Sequence, residues 1–164
     1  MGWKVNGLIV EGTVDAARLP GRPHETGETV AIDGVYERHC DYGIAVVGGW
    51  TFIADPEFLV SFNDEAAQAL SVGGRALAWV TNSVASLHGF AWYVDGVAIR
   101  RIMYAEGAIA DESGEPLPAE ALVPEPGDED YVFEMMARLT GQGWGEGADA
   151  DYRVWSCSEQ RASH

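Results

Sequence analysis

Residues 75–105 read RALAWVTNSVASLHGFAWYVDGVAIRRIMYA, and this stretch decides the fold. Three runs rich in aromatic and β-branched residues, RALAWV, LHGFAWYV and VAIRRIMYA, are separated by the Thr81-Asn82-Ser83 region and by Asp95-Gly96. An Asp-Gly pair between such runs is the strongest short hairpin signal, because a type I′ turn needs positive φ at both central residues. With a two-residue loop, the expected register sets Val94 against Val97, Trp92 against Ile99, Phe90 against Arg101 and His88 against Met103. On the other face Tyr93, Ala91 and Leu87 then oppose Ala98, Arg100 and Tyr104. Both faces are largely apolar, so helix is expected over one side of the hairpin and further structure over part of the other.

Outward from this meander, 164 residues suffice for one domain with a real core, and residues 1–164 are read as a single domain. A chain that is 47% hydrophobic with six tryptophans is far from a disordered composition. The net charge of −16 opposes binding to nucleic acid or to an anionic membrane and favours basic partners. Lys4 is the only lysine beside nine arginines, and with abundant Ala, Gly, Asp and Glu this bias points to a GC-rich bacterial genome. The start, MGWKVNGLIV, lacks the basic and apolar regions of a secretory signal, so a cytoplasmic location is expected. Asn6 stands where myristoylation after Gly2 wants Ser or Thr, and no window approaches the roughly 18 apolar residues of a membrane span.

Along the chain, Trp3–Glu11 alternates as a half-buried strand, and TVDAARLPG gives a Thr13-capped helix of about two turns that stops at Pro20-Gly21. Gly21–Gly27 reads as a loop, and Asp33-Gly34 predicts a second hairpin across Thr29–Arg38. Tyr42–Asp55 reads as two buried strands around Gly48-Gly49, and Asn63-Asp64 caps a short helix that ends before Gly73-Gly74. Residues 106–127 form an acidic, proline-bearing surface segment with at most a helical turn at Pro118–Leu122. A C-terminal helix over about 128–140 follows, with acids at its start, Arg138 near its end and Gly141 beyond. Gly141–Gly147 reads as a loop, Tyr152–Cys157 as a final edge strand, and residues 158–164 as a polar tail. The expected class is α+β: a mostly antiparallel sheet centred on the meander at about 75–105, packed by the C-terminal helix and two short helices.

The motifs that suggest chemistry fail on context. GQGWGEG at 141–147 follows a helix, lacks the Lys and Ser/Thr of a Walker loop and sits among acids, so it is no phosphate site. His39 and Cys40 would point to opposite faces of a strand, and with His24, His88 and Cys157 they match no catalytic or zinc spacing; Cys40 and Cys157 read as free thiols. The acids from Asp111 to Asp130 lack the order of a calcium loop, and a Glu106/Asp111 carboxylate pair is too common a pattern to carry weight. No catalytic residue, metal or cofactor is assigned.

Two candidate surfaces remain. Phe90, Trp92, Arg100 and Arg101, with Tyr93 and Tyr104 beside them, are the residues to consider for a small ligand, with Arg101 over Phe90 as a cation–π pair and a pocket between hairpin and C-terminal helix. For a basic protein partner the candidates are Asp111, Glu112, Glu115, Glu120, Glu125, Asp128, Glu129 and Asp130, within an acidic surface running to Glu134. The layout GWTFIADP, a short helix, GFAWYVDGVAIRR and GEPLPAEAL, across roughly 43–122, resembles the small, uncharacterised acidic single-domain proteins of GC-rich bacteria. Some of those are suspected immunity proteins of toxin systems, and the resemblance implies a fold and transfers no functional residue. The function expected is therefore a non-enzymatic, immunity- or inhibitor-like protein that engages a basic partner; the alternative is a small-molecule binder or enzyme beside the central hairpin.

Overall fold

Asp95 and Gly96 take φ of 47° and 80°, the two positive values that a type I′ turn demands. Around this turn the computed structural model, which describes residues 3–38 and 41–157, places nine strands and four α-helices. They are β1 (Lys4–Glu11), β2 (Pro23–Val30), α1 (Ile32–Tyr36), β3 (Asp41–Val47), β4 (Trp50–Ala54), α2 (Asp64–Ser71) and β5 (Arg75–Asn82). β6 (Leu87–Val94), β7 (Val97–Ala105), β8 (Ala108–Ser113), α3 (Glu129–Thr140), α4 (Trp144–Asp149) and β9 (Tyr152–Cys157) complete the order, with 3-10 turns at Ala16–Arg18 and Pro118–Leu122. The strands make one antiparallel sheet in the order β2-β9-β3-β4-β1-β5-β6-β7-β8. The fold is α+β, as the pattern of elements requires.

Both faces of the sheet are buried at its centre. On one, Ile9, Phe52, Leu77, Trp79, Phe90, Trp92 and Ile102 pack against Tyr131, Val132, Met135 and Met136 of α3 and Trp144 of α4. On the other, Leu8, Val10, Ile53, Ala78, Ala91 and Tyr93 meet Ala67 of α2 and the chain at Leu19 and Val60. Each large side chain fully removed from water contributes about 1.5–3 kcal/mol, so these layers are the main source of stability. Local chemistry sets the helix ends: Asn63 accepts from the Ala66 amide, Asp128 from the Tyr131 amide, and Gly141 closes α3 at φ 75°.

Several expectations change. Trp92 pairs with Arg100 and Tyr93 with Ala98, so Ile99 is an extra, bulged residue in β7. The bulge moves every later pair by one: Phe90 opposes Ile102 instead of Arg101, and His88 opposes Tyr104 instead of Met103. The Arg101–Phe90 cation–π pair therefore does not form. Arg100, Ile102 and Tyr104 turn to the α3 face, and Arg101 to the α2 face.

Asp33-Gly34 lies within α1 and makes no hairpin, because Ile32 and Val35, three apart, both bury on the sheet. The segment after Thr13 forms only the 3-10 turn at Ala16–Arg18, with no side-chain cap. Gly21–Gly27 contributes to strand β2, which takes the sheet edge, so β9 lies inside between β2 and β3 and is no edge strand. β1 is likewise buried on both faces and central. Part of the acidic segment is strand β8, and the Gly141–Gly147 stretch starts α4, where the Trp144 ring stacks on Phe133 at 5.2 Å. His39, Cys40 and the tail at 158–164 lie outside the described residues.

Candidate functional site

The bulge in β7 gives Arg100 and Arg101 separate neighbourhoods. Arg100 is 3% exposed. Its Nε and Nη2 donate to the two carboxylate oxygens of Glu120 at 3.0 and 2.9 Å, and its Nη1 lies 2.8 Å from Glu112 and donates to the Gly114 carbonyl at 3.0 Å. All the guanidinium's edges are thus spent inside the fold, tying β7 to β8 and to the Pro118–Leu122 turn. Arg101 pairs with Asp64 at the start of α2 and lies 4.0 Å from Asp111. The same Asp64 accepts the Tyr93 hydroxyl at 2.8 Å, and burial, with that carboxylate beside it, pushes the Tyr93 hydroxyl up to about 12. Phe90 is fully buried and Trp92 7% exposed in the core under α3. The four residues read as a ligand site are therefore divided between two faces, and they line none of the clefts beside α2, Lys4–Asn6 or the start of α3.

The acids divide as well. Glu112 and Glu120 hold Arg100; Asp128 caps α3; Glu129 accepts the Ser83 hydroxyl at 2.7 Å, and Ser83 in turn accepts the Trp3 amide at 3.1 Å. These are structural carboxylates, doing what buried cations and helix termini require. Glu115, Glu125 and Asp130 are exposed and have no basic partner among the described residues. Glu134, one turn after Asp130 on α3, pairs among the described residues with the exposed Arg138 at 3.0 Å.

Glu125, Asp128, Asp130 and Glu134 surround a cleft of about 230 Å³ whose walls are Val123, Pro124 and Tyr131. The loop that forms one side is fixed at Gly127, which has φ 110° and lies against the Tyr104 ring and the Gly107 carbonyl. Four carboxylates over a proline and a tyrosine suit a long basic side chain, with its stem on the apolar wall and its charge among the acids. The i, i+4 spacing of Asp130 and Glu134 on a helix was the signal for one side of this cleft; the return of the Val123–Gly127 loop onto Tyr104 had none.

Near the start of α3, His88 is 7% exposed, and its Nδ1 lies 2.6 Å from the Thr81 hydroxyl. Burial lowers the pKa of the ring, against the pull of Glu129 and Asp128. Two further clefts lie away from the acids. One of about 670 Å³ runs between α2 and Arg18–Pro20, and one of about 270 Å³ lies between Lys4–Asn6, Tyr36 and Phe58. Beside the second, buried Asp55 accepts from the amides of Leu59, Val60 and Ser61 and from the Ser61 hydroxyl, which fixes the loop that carries Phe58. Among the described residues no group of three or more His, Cys, Asp or Glu is arranged to hold a metal ion, and no helix is long and apolar enough to cross a membrane.

The model of a family of unknown function, DUF6461, matches residues 15–141. The chain belongs to that family. The DUF6461 match takes in the meander, β8, the acidic cleft and all of α3, and leaves out β1, which is central in the sheet, together with α4 and β9. No curated protein and no solved structure matches the chain.

Proposed function

We propose that this protein is a non-enzymatic binding protein whose acidic face engages a basic protein partner, in the manner of an immunity or inhibitor protein. The observation that carries the reading is the cleft of Glu125, Asp128, Asp130 and Glu134, in which Glu125 and Asp130 have no basic partner among the described residues. Unneutralised like charges cost a folded chain self-repulsion, and a basic partner relieves it. Such a surface speeds encounter with the partner, and the association weakens as salt screens it. The excess of acid over base makes toxins and other nucleic-acid-binding proteins, which carry basic surfaces of their own, the fitting class.

The test is capture from cells of the native host at low and at high salt, with the wild-type chain and a Glu125→Gln, Asp130→Asn, Glu134→Gln triple variant. A basic protein recovered by the wild type at low salt, and lost with the triple variant or at high salt, supports the reading. Recovery of no basic protein at either salt concentration overturns it.

A further inference from the structure

The sheet has two ends, and they are finished differently. β2 begins with Pro23, is bulged between Glu25 and Thr29, and has the Ala16–Arg18 turn packed alongside. β8 pairs with β7 on one side only, and all six of its residues are exposed. No described residue outside β7 hydrogen-bonds to the backbone of Ala108–Glu112. An edge of this kind presents a row of free N–H and C=O groups to any chain able to lie beside it.

Its side chains decide which chain that is. No Lys or Arg occurs between Glu106 and Ala137; Glu106 and Glu115 flank the strand, and within it lie Asp111 and Glu112, which pair with Arg101 and Arg100 of β7 and keep their side chains 59% and 40% exposed. Ala110 is a bulged residue with no partner in β7. A second copy would bring carboxylates against carboxylates, which cross-strand pairing penalises, and the bulge further blunts self-pairing. A basic strand meets no such penalty. Ile109, 53% exposed, supplies an apolar contact on the same edge. Gly127, buried between the cleft residues Glu125 and Asp128, lies against Gly107 in the turn that opens β8, so the loop that bears the cleft adjoins this edge.

We propose that β8 receives an extended basic segment of a partner protein as a tenth strand, with one basic side chain of that segment entering the cleft of Glu125, Asp130 and Glu134. This rests on the reading of the acidic face given above and adds to it a binding mode in which backbone hydrogen bonds supply affinity and charge selects the partner.

The probe is a fluorescein-labelled octapeptide of alternating arginine and valine, compared with the same peptide N-methylated at every residue, which keeps the charge and removes the backbone donors of both edges. Binding is read by anisotropy at low salt, and amide hydrogen exchange is followed in parallel. The expected result is binding of the first peptide with exchange at Ala108–Ser113 slowed at least tenfold, and binding of the second at least tenfold weaker. An Ala110→Pro variant, which keeps every charge, is expected to lose the same factor. Equal binding of the two peptides leaves the acidic face standing and overturns strand addition. No binding of either peptide overturns both. Dimerisation of the chain alone, with protection of the same amides, assigns the edge to a second copy and likewise overturns the proposal.

Discussion

Arg100 on β7 and Glu120 in the Pro118–Leu122 turn meet through two parallel hydrogen bonds, 3.0 Å from Nε and 2.9 Å from Nη2. The pair is almost wholly out of water, with side-chain exposures of 2% and 11%. Breaking such a pair from one side leaves a charge buried without its partner and costs about 3–5 kcal/mol, the low end applying here because Glu112 stays close to Arg100. Glu120→Ala is therefore expected to lower stability by about 3 kcal/mol in urea unfolding, while Glu115→Ala, on an exposed acid of the same segment, changes it by less than about 0.5 kcal/mol. Similar costs for the two variants would refute the division of these acids into structural and free.

Gly7 lies in β1 where strand and core ring come closest. A Cβ there would collide with the Ile53 carbonyl oxygen and the end of the Trp79 ring. Neither is a flexible chain end, so Gly7→Ala is expected to destabilise by about 2–3 kcal/mol through overpacking. Gly145, in the first turn of α4, has open space around it and no positive φ, so Gly145→Ala is expected to be neutral or to stabilise by up to about 1 kcal/mol. Thermal unfolding of the two variants side by side checks the contrast.

His88 gives the chain a pH dependence of stability. Burial holds its folded pKa below the ordinary value of 6.5, so between that value and its folded one the unfolded chain binds more proton than the folded chain. Stability contributed by the neutral ring is complete above about pH 6.5 and falls as pH drops below it. Because Glu129 and Asp128 oppose the shift, the slope is less than one proton's worth. His88→Gln is expected to be less stable than wild type at pH 7.5, with the gap narrowing at pH 5.5. An unchanged gap would mean the ring titrates alike in both states.

Asp55 organises the loop that follows β4. Its carboxylate holds four donors while Phe58 and Phe62 sit at φ 55° and 60°, a conformation that bulky side chains rarely adopt. Asp55→Ala removes the acceptor from buried amides and is expected to cost about 2–4 kcal/mol and to raise amide exchange at Leu59–Ser61 first. Exchange there no faster than in β5 would show that the loop is held by packing alone.

Much of the fold was legible because its signals act within a few residues. Asp95-Gly96, Gly48-Gly49, the Asn63 and Asp128 caps and the αL Gly141 each satisfy a local backbone need, and each stands where the sequence puts it. The alternation of the meander likewise determined its three strands, and the acidic segment was visible as a block. Tertiary structure decided the rest. Asp33-Gly34 became helix because Ile32 and Val35 both find the core, and Ile99 became a bulge, which brings Arg100 to Glu120 and leaves Arg101 for Asp64. Strand order depended on partners far away in the chain, as when Thr26 donates to the Val154 carbonyl, 128 residues on. Turns and caps are closed by their own neighbours, so sequence alone determines them. Faces, edges and the surplus of carboxylates at the cleft depend on which distant strand pairs with which, and only packing of the whole sheet settles that.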